Sequence, residues 1–123
     1  MIRLYHFPLS PFCRKVRLTL AEKKLEVDLV EERYWEQDPE FLRRNPAGKV
    51  PVLKIESKLL AESQAICEYL DETFPDPPLR PDTPYHRAEM RNWIRHIDAL
   101  IGNLIIFNWR HHLQKTASQW TDA

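Results

Sequence analysis

Four consecutive residues near the amino terminus, Ser10-Pro11-Phe12-Cys13, place a hydroxyl and a thiol at the predicted start of a helix. Ser is a preferred N-cap residue and Pro a preferred first helical residue. The unpaired N–H groups and partial positive charge of a helix N-terminus stabilise an anion. A thiol held there by the Ser10 hydroxyl would become more acidic, because its thiolate is stabilised. Two plainer interpretations stay open: Ser10 is only an N-cap, and Cys13, on the apolar helix face, is a small buried hydrophobic residue.

A second group of chemistry-bearing residues lies between positions 48 and 63. Gly48, one of only two glycines, precedes Val50-Pro51, which is consistent with an unusual φ angle or with simple loop flexibility. Farther along, Glu62 precedes Ser63, which we expect to cap another helix. An acidic group suits an ammonium ion, and a helix N-terminus with a hydroxyl suits a carboxylate. The alternative is an N-cap with a favourable acidic neighbour.

Aromatic and histidine residues give weaker signals. Tyr34-Trp35 stands in a charged stretch, where the pair is either a cover over the core or an anchor for a protein contact. His96 and His111-His112 have no recognised ligand spacing, so we expect no metal site.

Short apolar segments and helix caps supply the elements that position the first group. Ile2–Phe7 and Val27–Glu31 are predicted strands on either side of a helix that ends near Lys24. The apolar face of that helix carries Phe12, Cys13, Val16 and Leu20. We expect the cationic side chains to lie largely off that face, at Arg14, Lys15, Arg17 and Lys23.

The second group is predicted to sit on a hairpin between two helices. Asp38-Pro39 starts a short helix that Asn45-Pro46 ends. Val50–Ile55 and Lys58–Leu60 form the hairpin, and a helix capped by Ser63 follows with Ile66, Leu70 and Phe74 in register. The order βαβ, short helix, ββα implies a parallel pair, an antiparallel pair and a mixed four-stranded sheet with helices on it.

The carboxy-terminal third has a different character. All ten prolines lie between Pro8 and Pro84, and the segment 75–84 is predicted to be a stiff connector between two units. Thr83-Pro84 is predicted to cap a long helix with one wide apolar stripe, made of Met90, Trp93, Ile94, Ile97, Ile101, Leu104 and Ile105. One helix cannot bury such a stripe alone, so it needs the sheet domain, more helices or another chain.

Composition excludes several classes of protein. Hydrophobic residues make up 43% and charged residues 29%, which is typical of a globular domain. Eighteen basic residues balance eighteen acidic ones, which argues against a nucleic-acid binder and a polybasic membrane module. We see no membrane span, no secretory signal and no disulfide framework, since there are two cysteines. A cytoplasmic location is therefore expected.

The ordered motifs resemble the cytosolic glutathione transferases. Ser-Pro-Phe-Cys after a strand is similar to the Cys-Pro-Tyr-Cys site of glutaredoxins with the first Cys replaced by Ser. The supporting segments, in chain order, are Ser10–Arg17, Asn45–Leu53 and Leu60–Leu70. The resemblance implies an α/β fold: a thioredoxin-like, glutathione-binding βαβ-α-ββα domain over 1–80. Residues 81–123 would be the linker and first helix or helices of a truncated all-α domain.

The resemblance also implies site roles. Ser10 would be the catalytic residue that activates the thiol of glutathione, and the bound peptide would contact Phe12, Lys49, Val50, Pro51, Glu62 and Ser63. Val50-Pro51 would be a cis peptide, with the Val50 backbone pairing with the cysteinyl part of glutathione as an added strand. Glu62 and Ser63 would hold the γ-glutamyl amine and carboxylate, and Lys49 the glycyl carboxylate.

Departures from the family limit the chemistry. The leading Cys of the redox subfamilies is absent, so we do not expect dithiol chemistry, and Cys13 should face inward. Tyr5 in the first strand ranks second to Ser10 as an activator. The electrophile pocket of these enzymes is built largely from the helical second domain, most of which is missing from this sequence.

Three functions are compatible with these features. The first is an enzyme in which glutathione, as co-substrate, attacks an apolar electrophile without a metal, in a homodimer that binds neither nucleic acid nor membrane. The second is a non-enzymatic adaptor, for example one that binds filaments of a tubulin-like bacterial division protein, with Tyr34 and Trp35 as contact residues. The third is a fragment without activity of its own.

Overall fold

The computed structural model describes residues 1–102 and divides the chain into two compact units, Met1–Leu79 and a second beginning at Arg80. In the first unit the elements are β1 (Ile2–His6), α1 (Pro11–Glu22), β2 (Asp28–Glu31), a 3₁₀ turn (Tyr34–Glu36), α2 (Pro39–Arg44), β3 (Val52–Ile55), β4 (Lys58–Ala61) and α3 (Ser63–Thr73). The predicted α/β class and βαβ-α-ββα order are confirmed, and the fold is thioredoxin-like.

The four strands form one mixed sheet in the order β2-β1-β3-β4. β1 and β2 are parallel, while β3 is antiparallel to both β1 and β4. β3 begins at Val52 and not at Val50 as predicted, because the residues before it form the turn that leads into the strand. The hairpin turn lies at Glu56-Ser57 as expected, with Glu56 at a φ of 55°.

Alternate side chains of the strands bury opposite faces of this sheet, as the period of two requires. On one face Leu4 and Leu53 pack in a cluster with the apolar stripes of α1 and α3, which add Val16, Leu20, Ile66 and Leu70. On the other face Tyr5 and Val52 pack with Tyr34 and Phe41. The sheet is therefore covered by α1 and α3 on one side and by the 3₁₀ turn and α2 on the other.

The predicted position of Lys23 is wrong. Its side chain is fully buried and lies 2.6 Å from the Asp71 carboxylate of α3. Its ammonium also donates to the Pro77 carbonyl, and the Leu79 amide donates to Asp71 Oδ1 at 2.9 Å. The beginning of the proline-rich segment is thereby held against the first unit, whereas we had predicted that the whole segment is a connector.

The described part of the second unit contains one helix, α4 (Pro84–Ile101). The Thr83 hydroxyl accepts a hydrogen bond from the His86 amide at 3.2 Å, which confirms the predicted N-cap. Within 84–101 no residue is buried, and Trp93, Ile97 and Leu100 are exposed by 63%, 48% and 47%. Leu104, Ile105 and His111-His112 lie outside the described residues. None of the helices within residues 1–102 has the length and apolarity needed to cross a bilayer.

Candidate functional site

The register of the sheet brings the three predicted motifs to one edge. Tyr5, Val52 and Ala61 pair across β1, β3 and β4 in a single row. β4 ends in this row, β1 ends one residue beyond it, and β3 begins in it, because β3 is antiparallel to both. The segments that carry Ser10, Val50-Pro51 and Glu62-Ser63 consequently meet at this end of the sheet, which we call the motif edge.

Two helices begin at the motif edge and run side by side in the same direction. Lys15 Nζ donates to Gln64 Oε1 at 3.4 Å and the Thr19 hydroxyl donates to Cys67 Sγ at 3.3 Å. The third such contact, one turn farther along, is the Lys23–Asp71 ion pair, so α1 and α3 are parallel. Both N-termini, with their partial positive charges, therefore point to the same edge, which favours an anionic ligand there.

Ser10 is the N-cap of α1. Its Oγ accepts a hydrogen bond from the Cys13 amide at 3.3 Å, and the residue is 6% exposed. Because a hydroxyl that accepts a hydrogen bond keeps its own proton to donate, the cap and the proposed activator role are compatible. Phe12, predicted to contact the peptide, is half-buried at the second position of the helix.

Cys13 faces inward, as predicted, and is fully buried. Burial raises the pKa of its thiol, and hydrogen bonds from the Ser10 side chain and the Phe7 backbone only partly oppose that effect. A buried thiol of raised pKa is a poor nucleophile.

The turn before β3 has the backbone that the resemblance implied. Val50-Pro51 is a cis peptide, and Gly48 has a φ of +66°, which favours the first of the two interpretations of this glycine, an unusual φ angle. Val50 is half-buried against the face of the sheet that packs on Tyr34 and Phe41, which we call the aromatic side of the sheet. Pro51 is buried and Lys49 is exposed. The Lys49 ammonium is therefore free to reach an anionic group in solvent at the motif edge.

The prediction that Ser63 caps α3 is wrong by one position. Glu62 is the N-cap, with a φ of 73° and no side-chain cap hydrogen bond, and Ser63 is the first helical residue. Ser63 is 7% exposed and Glu62 is exposed. The left-handed backbone of Glu62 moves the helix start by one residue. An acidic side chain and the first turn of α3 still lie next to each other.

Tyr5 lies in the row of the sheet next to the motif edge, but its ring is buried on the face covered by the 3₁₀ turn and α2. It is 4% exposed in the core, and the Arg44 guanidinium stacks over its ring at 4.5 Å. A phenol enclosed between the sheet and Arg44 is poorly placed to reach a ligand sulfur, which favours Ser10 over Tyr5.

The aromatic pair proves to be largely a cover over the core. Tyr34 is buried at 8% exposure, which favours the interpretation of this residue as a cover over the core. Trp35 is half-buried and packs edge-on against Phe7, with ring centroids 4.9 Å apart. The guanidinium of Arg33 lies 5.4 Å from the Trp35 ring. Of the Tyr34-Trp35 pair, Trp35 is the residue that offers aromatic surface to solvent.

One contact near the motif edge was not found from the sequence. Arg17 lies 2.8 Å from His6 Nδ1 and donates to the Pro8 carbonyl at 2.9 Å, which ties α1 to the segment before Ser10. Because a guanidinium only donates, His6 Nδ1 is the acceptor. Burial and the Arg17 charge lower the pKa of His6, and Glu31 partly opposes them. Helical periodicity predicts the side of α1 on which Arg17 lies, but it does not predict that Arg17 contacts His6 of β1.

Two further observations concern other parts of the first unit. An apolar groove lies beside the β3–β4 hairpin turn, at the opposite end of the sheet from the motif edge, with Ile55, Lys58 and Tyr69 among its lining residues. Within residues 1–102 there is no group of three or more His, Cys, Asp or Glu residues that could hold a metal ion.

Comparison with known proteins gives a consistent result. Residues 4–78 match the family model described as "Glutathione S-transferase, N-terminal domain". FtsZ-localized protein A of Caulobacter vibrioides is 43% identical over 105 residues, which are 81% of this chain and 46% of that protein. Glutathione S-transferase U2 of Arabidopsis thaliana is 38% identical over 101 residues, or 81% of this chain and 45% of that protein.

One similar solved structure contains a bound glutathione derivative. The glutathione S-transferase of Methylobacterium radiotolerans, in complex with glutathione sulfonate, superposes with a TM-score of 0.69 at 39% identity, over 75% of this chain and 44% of that one. The chain spans about half the length of the curated relatives it matches. The family match at residues 4–78 spans 75 of the 123 residues and includes all three motifs, and the chain therefore belongs to the glutathione S-transferase family.

Proposed function

We propose that this chain binds glutathione along the motif edge and activates its thiol for attack on an electrophile. The observation that carries the proposal is the register that brings Ser10, Val50-Pro51 and Glu62-Ser63 to the edge where α1 and α3 both begin. Its support is the family membership and the glutathione derivative bound by the Methylobacterium radiotolerans relative.

The tripeptide is recognised by its backbone and its charges. The Val50 backbone accepts the cysteinyl part as an added strand. Glu62 faces the γ-glutamyl ammonium, and the Ser63 hydroxyl with the first N–H groups of α3 binds the γ-glutamyl carboxylate. The exposed Lys49 ammonium pairs with the glycyl carboxylate.

Ser10 acts on the sulfur. Its hydroxyl donates a hydrogen bond to the thiolate, and the proton of the thiol leaves to solvent. The thiolate electron pair then forms a C–S bond with the electrophilic carbon, whose leaving group departs with the electrons of the broken bond. A hydrogen bond to a charged group contributes about 1.5–3 kcal/mol, which lowers the pKa of the bound thiol by about one to two units.

Replacing Ser10 by Ala tests this step. We expect the pKa of bound glutathione, measured by thiolate absorbance, to rise by about one to two units and conjugation at pH 6.5 to slow roughly tenfold or more. Ser10→Ala also removes an N-cap, so Thr83→Ala, which removes the cap of α4, is the matched control. An unchanged thiol pKa in Ser10→Ala would remove Ser10 from the mechanism.

A second candidate function is that of an adaptor on protein filaments. The observation that favours it is the 43% identity to FtsZ-localized protein A, together with the half-buried Trp35 beside Arg33. Co-pelleting with purified FtsZ filaments that is lost in Trp35→Ala but kept in Leu18→Ala, a change of another exposed apolar residue, would support it. Glutathione-dependent conjugation without co-pelleting would favour the enzyme. Two further expectations from the sequence, a homodimer and a cytoplasmic location, are part of the glutathione transferase proposal.

A further inference from the structure

Two amide side chains hold the backbone just before Val50. Gln37 Nε2 donates to the Gly48 carbonyl at 3.2 Å and to the Tyr34 carbonyl at 2.5 Å. Asn45 Nδ2 donates to the Lys49 carbonyl at 2.9 Å. Two consecutive peptide carbonyls immediately upstream of Val50 are thereby each bound by an amide side chain.

Gln37 and Gly48 fit each other closely. A Cβ at position 48 would lie 2.5 Å from Gln37 Oε1, so the absence of a side chain on Gly48 makes room for the Gln37 amide. Gln37 itself has a φ of 51° and a ψ of 47°, a left-handed conformation that disfavours residues with a Cβ. A residue more tolerant of this conformation would relieve the backbone but would lose both hydrogen bonds.

Asn45 supports the same turn from the other side. It is 7% exposed, its Oδ1 accepts from the Ala47 amide at 3.2 Å, and its carbonyl accepts from the Gly48 amide at 2.9 Å. With these bonds made, the Gln37 amide is the link between the turn and the 3₁₀ segment on the aromatic side of the sheet.

We propose that Gln37 is a positioning residue for glutathione: its amide fixes the Gly48 carbonyl and so presents the Val50 backbone ready for strand pairing. This inference rests on the proposed function. Strand addition needs a backbone N–H and C=O already in place, and a loop that must first be ordered lowers affinity by the entropy lost on binding. Ser10, on a different element, is unaffected by Gln37, so the thiolate chemistry stays unchanged.

Gln37→Gly in the full chain separates positioning from fold stability. Glycine tolerates the left-handed conformation, and this relief is of the same order as the loss of the two hydrogen bonds, so the thermal midpoint should change little. The dissociation constant for glutathione, measured by calorimetry, should rise about three- to tenfold, the effect of about one lost hydrogen bond. KM for glutathione should rise in parallel, while kcat and the pKa of the bound thiol stay unchanged.

Glu56→Gly is the matched control. Glu56 has a φ of 55° in the hairpin turn at the opposite end of the sheet, so the same backbone relief occurs there without the link to Gly48. Its affinity for glutathione should equal that of the native chain. Gln37→Glu, which keeps the length but loses the N–H donor, should weaken binding at least as much as Gln37→Gly.

The outcomes are distinct. Weaker binding by Gln37→Gly, at a thermal midpoint that changes little, supports the inference. Native affinity in Gln37→Gly, or a loss of affinity that only accompanies a markedly lowered midpoint, overturns it and leaves the proposed function standing. Failure of the native chain to bind glutathione overturns the proposed function and this inference together.

Discussion

At the residue scale, the start of α1 carries two groups that the sequence offered for chemistry, the Ser10 hydroxyl and the Cys13 thiol, and the structure gives them different surroundings. Ser10 and Cys13 are joined by the hydrogen bond from the Cys13 amide to Ser10 Oγ. The Cys13 thiol is fully buried, and burial raises its pKa, so we propose that Ser10 donates the hydrogen bond to the ligand sulfur. His6 and Arg17 fix the backbone that leads to this position.

The His6–Arg17 contact should make stability depend on pH. The pKa of His6 is lowered in the folded chain, so the unfolded chain binds the proton more tightly. His6 therefore makes its full contribution to the stability of the folded chain above a pH of about 6.5. This contribution is lost as the pH falls through the lower pKa of the folded chain. Urea unfolding at several pH values should show the native chain losing stability on acidification relative to His6→Asn, whose amide oxygen can still accept from Arg17. Equal slopes for the two proteins would contradict this.

At the element scale, the parallel packing of α1 on α3 aims both helix N-termini at the motif edge. The Lys23–Asp71 pair locks this packing at the far end of the helices and also binds the 77–79 segment. Because both side chains are buried, each would leave an uncompensated charge if the other were removed.

Lys23→Met should therefore lower the free energy of unfolding by about 3–5 kcal/mol. Lys23→Met combined with Asp71→Asn should cost less than the sum of the single changes, because the buried carboxylate charge is gone while an oxygen remains for the Leu79 amide. Urea denaturation of the four proteins measures this coupling. A loss below about 1 kcal/mol in Lys23→Met would mean that the pair is solvated in solution.

The same elements show what the sequence could and could not predict. The caps at Ser10, Asp38 and Thr83 were predicted because an N-cap bond is local, and all three are present. The start of α3 was misplaced because the φ of 73° at Glu62 has no signal in the residue type. The burial of Lys23 was missed because its partner lies 48 residues away.

Some features of the candidate site could be predicted from the sequence and others could not. Its motifs were found from residue types at fixed spacing, and the Val50-Pro51 cis peptide from the family resemblance. The Gln37–Gly48 bond, between residues 11 apart, joins two loops whose meeting depends on how the 3₁₀ turn packs on the sheet. No periodicity in the sequence specifies that meeting.

At the scale of the whole molecule, the first unit holds the βαβ-α-ββα elements of the thioredoxin-like fold and carries the motifs of the proposed glutathione site. The chain spans about half the length of its curated relatives. The exposed apolar residues of α4, Trp93, Ile97 and Leu100, lie in the second unit, and we propose that an apolar electrophile contacts this unit. We therefore expect glutathione binding to depend on the first unit and electrophile choice on the second.

The central claim is that the tripeptide lies along the motif edge. Amide chemical-shift mapping of the full chain during titration with glutathione tests it most directly. The account predicts saturable shifts centred on Cys13, Val50 and Ser63, with the hairpin turn at Glu56-Ser57 unaffected as the internal control. Shifts absent at millimolar glutathione, or centred on the apolar groove beside that turn, would contradict it.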